Sequence, residues 1–177
     1  MHKMRWQRSA LAALALLPLA AGAARAALSP GTPAPLFAAP RLDGGTLSLR
    51  ALRGHPVLLN FWSPTCPPCV LEMPELEKLH HVYAPRGLTI VGIVEMASSA
   101  DEARRFVEER GVTYPIVLDL DGAIGARYRL EAHPTSVLID ARGIMRYENL
   151  GFLRGEEKEI EAAIRKVFGP ATRGRAR

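Results

Sequence analysis

Cysteine is almost missing from this chain, with two in 177 residues. A small exported domain that relies on disulfide staples carries several pairs, so stability here must come from packing, and the single pair is free for chemistry. Structural zinc takes four ligands, and neither a second CxxC nor a closely spaced His pair accompanies this one. The spacing therefore favours a redox dithiol over half a zinc site.

Acidic residues are absent from both ends. Residues 1–26 hold four of the 23 basic residues and residues 171–177 hold three more, with no Asp or Glu in either segment. The body keeps 16 Lys and Arg against all 18 Asp and Glu, so the formal charge of +5 belongs to the ends. Nothing in the body calls for nucleic acid, and Arg173, Arg175 and Arg177 read as a solvated basic tail over 170–177.

A long apolar run is lacking as well. Lys3, Arg5 and Arg8 precede an uncharged stretch from Ser9 to Ala24, followed by Ala24-Arg25-Ala26, the small-x-small form of a signal-peptidase site. As a helix the stretch reaches about 24 Å, short of the roughly 30 Å hydrocarbon core, and Pro18 and Gly22 interrupt it. Residues 1–26 read as a secretory signal, with cleavage favoured over an uncleaved N-terminal anchor. The remainder, about 150 residues, suffices for one core.

The body punctuates cleanly. Residues 27–33 form a Pro/Gly-rich linker, and a domain is expected over 34–169. Phe37 to Arg41 and Thr46 to Leu49 flank Asp43-Gly44-Gly45, a hairpin signal. Val57 to Trp62 and Leu88 to Val94 are short continuous apolar runs, as in strands covered on both faces. Between them, Cys66 to Tyr83 reads as a helix with its stripe at Cys69, Met73, Leu76, Leu79 and Tyr83, kinked at Pro74. Ser99 with Glu102 marks the start of a second helix and Gly111 its stop. A strand at Ile116 to Leu118 and a short helix at Gly122 to Tyr128 follow. Ser136 to Ile139 and Met145 to Leu150 then form a hairpin, and a last helix covers Glu156 to Phe168. This order predicts an α/β fold, a mixed central sheet flanked by helices with an N-terminal β-hairpin extension.

What is present sits at one point. Cys66-Pro67-Pro68-Cys69 lies where a buried strand turns into a helix, and a helix N-terminus supplies positive potential that favours thiolate. Cys66 reads as the attacking thiol and Cys69, one turn inside on the apolar stripe, as the resolving thiol. Pro67 and Pro68 have no N–H, so the Cys66 thiolate depends on the Cys69 amide and the dipole. That argues for a less acidic thiol and a reductant. Glu72, three residues past Cys69 on the same face, falls inside the apolar stripe and is the candidate proton acceptor, its proton affinity raised by partial burial. The plainer reading makes it a helix-start carboxylate facing water. Glu95 is either a functional group or a solvated strand end, and His80 and His81 carry no catalytic role.

Phe61-Trp62-Ser63-Pro64-Thr65-Cys66-Pro67-Pro68-Cys69, Glu72-Met73-Pro74, Val117-Leu118-Asp119, His133-Pro134-Thr135 and Leu138-Ile139-Asp140 together resemble the exported thioredoxin-like reductases of the TlpA/ResA type, over roughly residues 33–168. The resemblance implies a thioredoxin fold, thiol–disulfide exchange in the bacterial periplasm, and a role in cytochrome c maturation or in reducing partner proteins. Substrate proteins bearing disulfides or thiols and a monomer are expected; the exchange needs no metal or organic cofactor, and a reductant in a kinetically oxidising periplasm needs a membrane-bound electron donor. The resemblance also implies a cis Pro134 facing the dithiol, with Trp62, Thr65, Pro67, Pro68, His133, Pro134 and Thr135 as the substrate-binding surround. A cis proline would present the His133 backbone as a short edge for a substrate peptide, while the His133 ring reads as exposed. Two departures stand out: Thr65 replaces the Trp of many relatives, and Asn60 occupies the place of the buried acid of thioredoxins. Other readings stay open at this stage. They are a disulfide-introducing oxidant, a peroxidase, disfavoured by Leu59 where a Pro is expected although Ser63 fills the hydroxyl position, and a copper carrier using Cys66, Cys69 and His133.

Overall fold

The computed structural model describes residues 28–169. The expected signal segment and the basic tail lie outside them. Seven strands and four helices follow the predicted order: β1 (Ala38–Pro40), β2 (Thr46–Ser48), β3 (Val57–Trp62), α1 (Pro67–Tyr83), β4 (Thr89–Val94), α2 (Ala100–Glu108), β5 (Ile116–Leu118), α3 (Ala123–Tyr128), β6 (Thr135–Ile139), β7 (Met145–Leu150) and α4 (Glu157–Phe168). Five strands form one sheet in the order β5-β4-β3-β6-β7, while β1 and β2 form the separate hairpin. Strands β3, β4 and β5 are parallel, and β6 and β7 run antiparallel to their neighbours. This is a mixed sheet with β3 at its centre.

Every residue of β3 is buried, as a strand covered on both faces requires. Leu58 and Trp62 face a core built with Met73, Leu76 and Leu79 of α1, Ala103 and Val107 of α2, and Ile160 and Ile164 of α4. Val57, Leu59 and Phe61 face Ile124 and Tyr128 of α3 together with Ala39 and Leu47 of the hairpin. The hairpin thus closes the face that α3 alone is too short to cover.

Helix starts follow their sequence signals with one change. The Ser99 hydroxyl accepts from the Glu102 N–H at 3.2 Å, as an N-cap should, but the Glu102 carboxylate reaches back to the Ser98 N–H at 2.6 Å and not to that of Ser99. Helix α1 continues unbroken through Pro74, which forgoes only the bond to the Val70 carbonyl. The linker expectation needs correction. Gly31 N–H donates to the Met145 carbonyl at 2.8 Å and Met145 N–H to the Thr32 carbonyl at 2.9 Å, so the fold begins before Ala34. Extended backbone leaves its C=O groups, and its N–H groups except at proline, without local partners, and Met145 at the start of β7 takes up those of Gly31 and Thr32.

Candidate functional site

The site grows from the end of β3. After Trp62 the chain turns through Ser63-Pro64-Thr65, held by Cys66 N–H donating to the Ser63 carbonyl at 3.1 Å and by the Ser63 and Thr65 hydroxyls at 2.9 Å from each other. Cys66 then becomes the N-cap of α1, and its Sγ accepts the Cys69 N–H at 3.2 Å. Pro67 and Pro68 occupy the first helical turn, where amide hydrogens lack intrahelical partners. Cys66 and Cys69 are joined by a disulfide with Cα atoms 5.4 Å apart, so this is the oxidised form. Their exposure is unequal: Cys66 is half-buried beside exposed Thr65 and Pro67, whereas Cys69 is 1% exposed.

One turn further, Glu72 is 1% exposed. The water-facing reading of this residue is therefore excluded. Its carboxylate lies over a row of small and polar residues that crosses the centre of the sheet: Ser136 on β6, Asn60 on β3 and Gly92 on β4 are register neighbours. Asn60 Nδ2 donates to Glu72 Oε2 at 2.6 Å and to Ser136 Oγ at 3.1 Å, and Ser136 Oγ donates to Glu72 Oε1 at 3.0 Å. Burial pushes the Glu72 carboxyl up to about 7, against the opposing pull of the Ser136 and Asn60 hydrogen bonds. Asn60 Oδ1 is buried with no hydrogen-bond partner among the described residues. Half a turn of that amide presents an acceptor to a protonated Glu72, so the pocket can serve both protonation states.

The loop before β6 forms the opposite wall. The His133–Pro134 bond is cis. Thr135 Oγ1 donates to the Ala132 carbonyl at 2.7 Å, and Gly151 N–H donates to the Pro134 carbonyl at 2.7 Å. Since Thr135 pairs with Phe61, this loop stands beside the end of β3 from which the dithiol departs. The His133 N–H and carbonyl have no backbone partner among the described residues.

Several expectations need correcting. The His133 ring is not an exposed loop histidine: its side chain is 20% exposed and its Nε2 is 2.6 Å from Glu95 Oε2. Glu95 is likewise no solvated strand end, at 7% exposure with its N–H donating to the Trp62 carbonyl at 2.9 Å. Trp62 is fully buried, stacked on Phe106 with ring centroids 5.0 Å apart, and Pro134 and Thr135 are buried too. These three shape the wall from behind and offer no side chain to a partner; Thr65, Pro67, Pro68 and the His133 backbone are what remains reachable. For the copper reading, His133 Nε2 is engaged by the Glu95 carboxylate, and Cys66 and Cys69 are joined to each other.

The AhpC/TSA family profile matches residues 30–148. This chain belongs to that family. Within it, the chain is 35% identical over 130 residues to the thioredoxin-like protein YneN of Bacillus subtilis, covering 73% of this chain and 76% of that protein. It is also 35% identical over 154 residues to the thiol-disulfide oxidoreductase ResA of Halalkalibacterium halodurans, covering 80% and 84%. A crystal structure from Chlorobium tepidum, assigned as a thiol:disulfide interchange protein DsbE, superimposes with a TM-score of 0.76 at 27% identity, covering 80% of this chain and 99% of that one. The fold is that of thioredoxin, and the chain is a thiol–disulfide oxidoreductase of the ResA/DsbE type with its redox pair at Cys66 and Cys69. The sequence pattern pointed to the dithiol and Glu72 of this AhpC/TSA member, and the family resemblance to the cis-proline loop. It did not connect Glu95 with His133, which are 38 residues apart, because a lone carboxylate at a strand end carries no signal until its partner strand is placed.

Proposed function

We propose that this protein is an exported reductant of disulfides in partner proteins, apocytochrome cysteines being one class that its resemblance to the TlpA/ResA reductases implies. The observation that carries this reading is the lone amide at the Cys66 sulfur: the Cys69 N–H is the donor there, since prolines fill the two positions between. A thiolate with little stabilisation holds its electrons weakly, and the dithiol form gives them up readily.

The cycle starts from the reduced pair. Cys66 thiolate attacks one sulfur of a partner disulfide, forming a mixed disulfide and releasing the other partner sulfur as a thiolate. Cys69, shielded from solvent, then loses its proton to the Glu72 carboxylate three residues along the same helix face. The Cys69 thiolate attacks Cys66 Sγ, which breaks the mixed disulfide and releases the second partner thiolate. Two electrons have moved to the partner, whose two thiolates take up protons, and this chain is left with the disulfide seen here. A membrane-bound donor returns it to the dithiol, and Glu72 gives its proton back. An acceptor near 7 is suited to the task, because at neutral pH it both takes and releases a proton.

The test uses stoichiometric reduced protein and insulin as a disulfide-bearing polypeptide. The parent chain should open one insulin disulfide per molecule, Cys66→Ser should open none, and Cys69→Ser should accumulate a mixed disulfide with insulin. Reduction that survives Cys66→Ser, or no adduct with Cys69→Ser, would overturn the assignment.

A further inference from the structure

We propose that Glu95 and His133 form a clasp that holds the cis-proline loop in the conformation a partner polypeptide pairs with, making both of them positioning residues for substrate binding. This deepens the reading above and rests on it.

Four observations converge on the clasp. Glu95 sits directly after β4 and is tied by its backbone to Trp62, the last residue of the strand that delivers the dithiol. Its carboxylate reaches across to His133, the residue whose unpaired backbone flanks Pro134. Among the described residues, this contact between two largely buried side chains is the side-chain hydrogen bond that ties His133 to the end of β4. Second, α3 leaves space for it. A Cβ built on Gly125 would lie 1.9 Å from Glu95 Oε1, so any larger residue there displaces the carboxylate. Third, the α3 amides are already taken: Asp119 accepts from the Ile124 N–H at 2.9 Å and the Gly125 N–H at 2.8 Å, so Glu95 is not that helix's cap and is left to His133. Fourth, the two non-glycine residues with left-handed backbone among the described residues, Met96 at φ 56° and Arg129 at φ 52°, both border the open groove of about 390 Å³ that Glu95 and His133 line. Met96 directly follows Glu95, so its strain lies at the clasp itself, whereas Arg129 is left-handed as the C-cap of α3.

The consequence for binding is specific. A partner peptide forms main-chain hydrogen bonds with the His133 edge, so it needs that edge held at one angle. A small disulfide makes no such bonds. Breaking the clasp should therefore weaken polypeptide binding while the dithiol chemistry continues.

Steady-state reduction of insulin and of hydroxyethyl disulfide, with dithiothreitol as electron source, separates the two effects. Glu95→Ala and His133→Ala should each raise KM for insulin about fivefold or more with kcat little changed, and leave turnover of hydroxyethyl disulfide within about twofold. The double variant should be no worse than either single one, as coupled partners require. Gly125→Ala should reproduce the KM rise without altering either member, and Glu95→Gln, which keeps an oxygen acceptor for the ring, should recover most of the loss. Equal losses on both substrates, no change in KM for insulin, or additive single variants would overturn the clasp. If the parent protein reduced neither probe, the reductant reading would fall first and the clasp with it; a parent active on both confines any failure to the clasp.

Discussion

At the scale of single residues, Glu72 is the group whose environment departs furthest from its sequence neighbours. Glu75 and Glu77, on the same helix, are partly exposed and pair with Lys78 and His81, whereas Glu72 has been drawn into the core. Its folded proton affinity, raised from 4.5 to about 7, makes the native state bind a proton that the unfolded chain has lost. Between those two values the folded form holds more protons, so stability falls as pH rises through the window and levels off above it. The charged buried form costs about 3 kcal/mol at most. Glu72→Gln should therefore gain on the parent chain as pH climbs from about 5 to about 8, by up to about 3 kcal/mol, in urea titrations at a series of pH values. Because the acceptor must be a carboxylate, insulin reduction should rise with pH through a limb near 7, and that limb should vanish in Glu72→Gln. Ser136→Ala removes a bond that favours the charged carboxylate, so it should move the limb upward by about half to one pH unit. A Glu inside an apolar stripe was legible as anomalous from sequence. The Asn60 and Ser136 partners were not, because they meet Glu72 only through strand register, and no local pattern reveals that β3 and β6 place them side by side.

At the scale of elements, the boundaries of β3, β5 and β7 were readable to the residue: β3 and β5 are short apolar runs between turn residues, and β7 follows from the Asp140 to Gly143 turn that pairs it with β6. The packing between elements was less accessible. Gly92 in β4 is a vacancy that three neighbouring side chains close over: a Cβ there would lie 2.6 Å from Ile116 Cδ1, 3.1 Å from Trp62 Nε1 and 3.2 Å from Tyr114 Cε2. Gly92→Ala should cost about 1–3 kcal/mol in chemical denaturation through overpacking of the wall behind the dithiol. The linker was misread for a similar reason. Its Pro and Gly content describes a chain with no local structure, and only the backbone of Met145 at the start of the edge strand β7 decides that it is bound. Helix α1 shows the converse, where local chemistry suffices: a cysteine cap followed by two prolines sets both the helix start and the single donor at the sulfur.

At the scale of the whole molecule, the redox state and the stability of the fold are linked, because whichever form of the dithiol the protein stabilises is the form it prefers to become. Strong oxidants are strong because their reduced form is the more stable. The reductant proposed here should show the opposite order, with the oxidised protein denaturing at a higher urea concentration than the dithiol form. The excess positive charge belongs to the chain ends, and the body carries 16 Lys and Arg against 18 Asp and Glu. The central claim is that Cys66 and Cys69 give electrons to partners, and the equilibrium reduction potential of the pair, titrated against a dithiothreitol or glutathione buffer, tests it most directly. The account predicts a value toward the thioredoxin end of the scale, near about −270 mV, and a value near about −120 mV would contradict it.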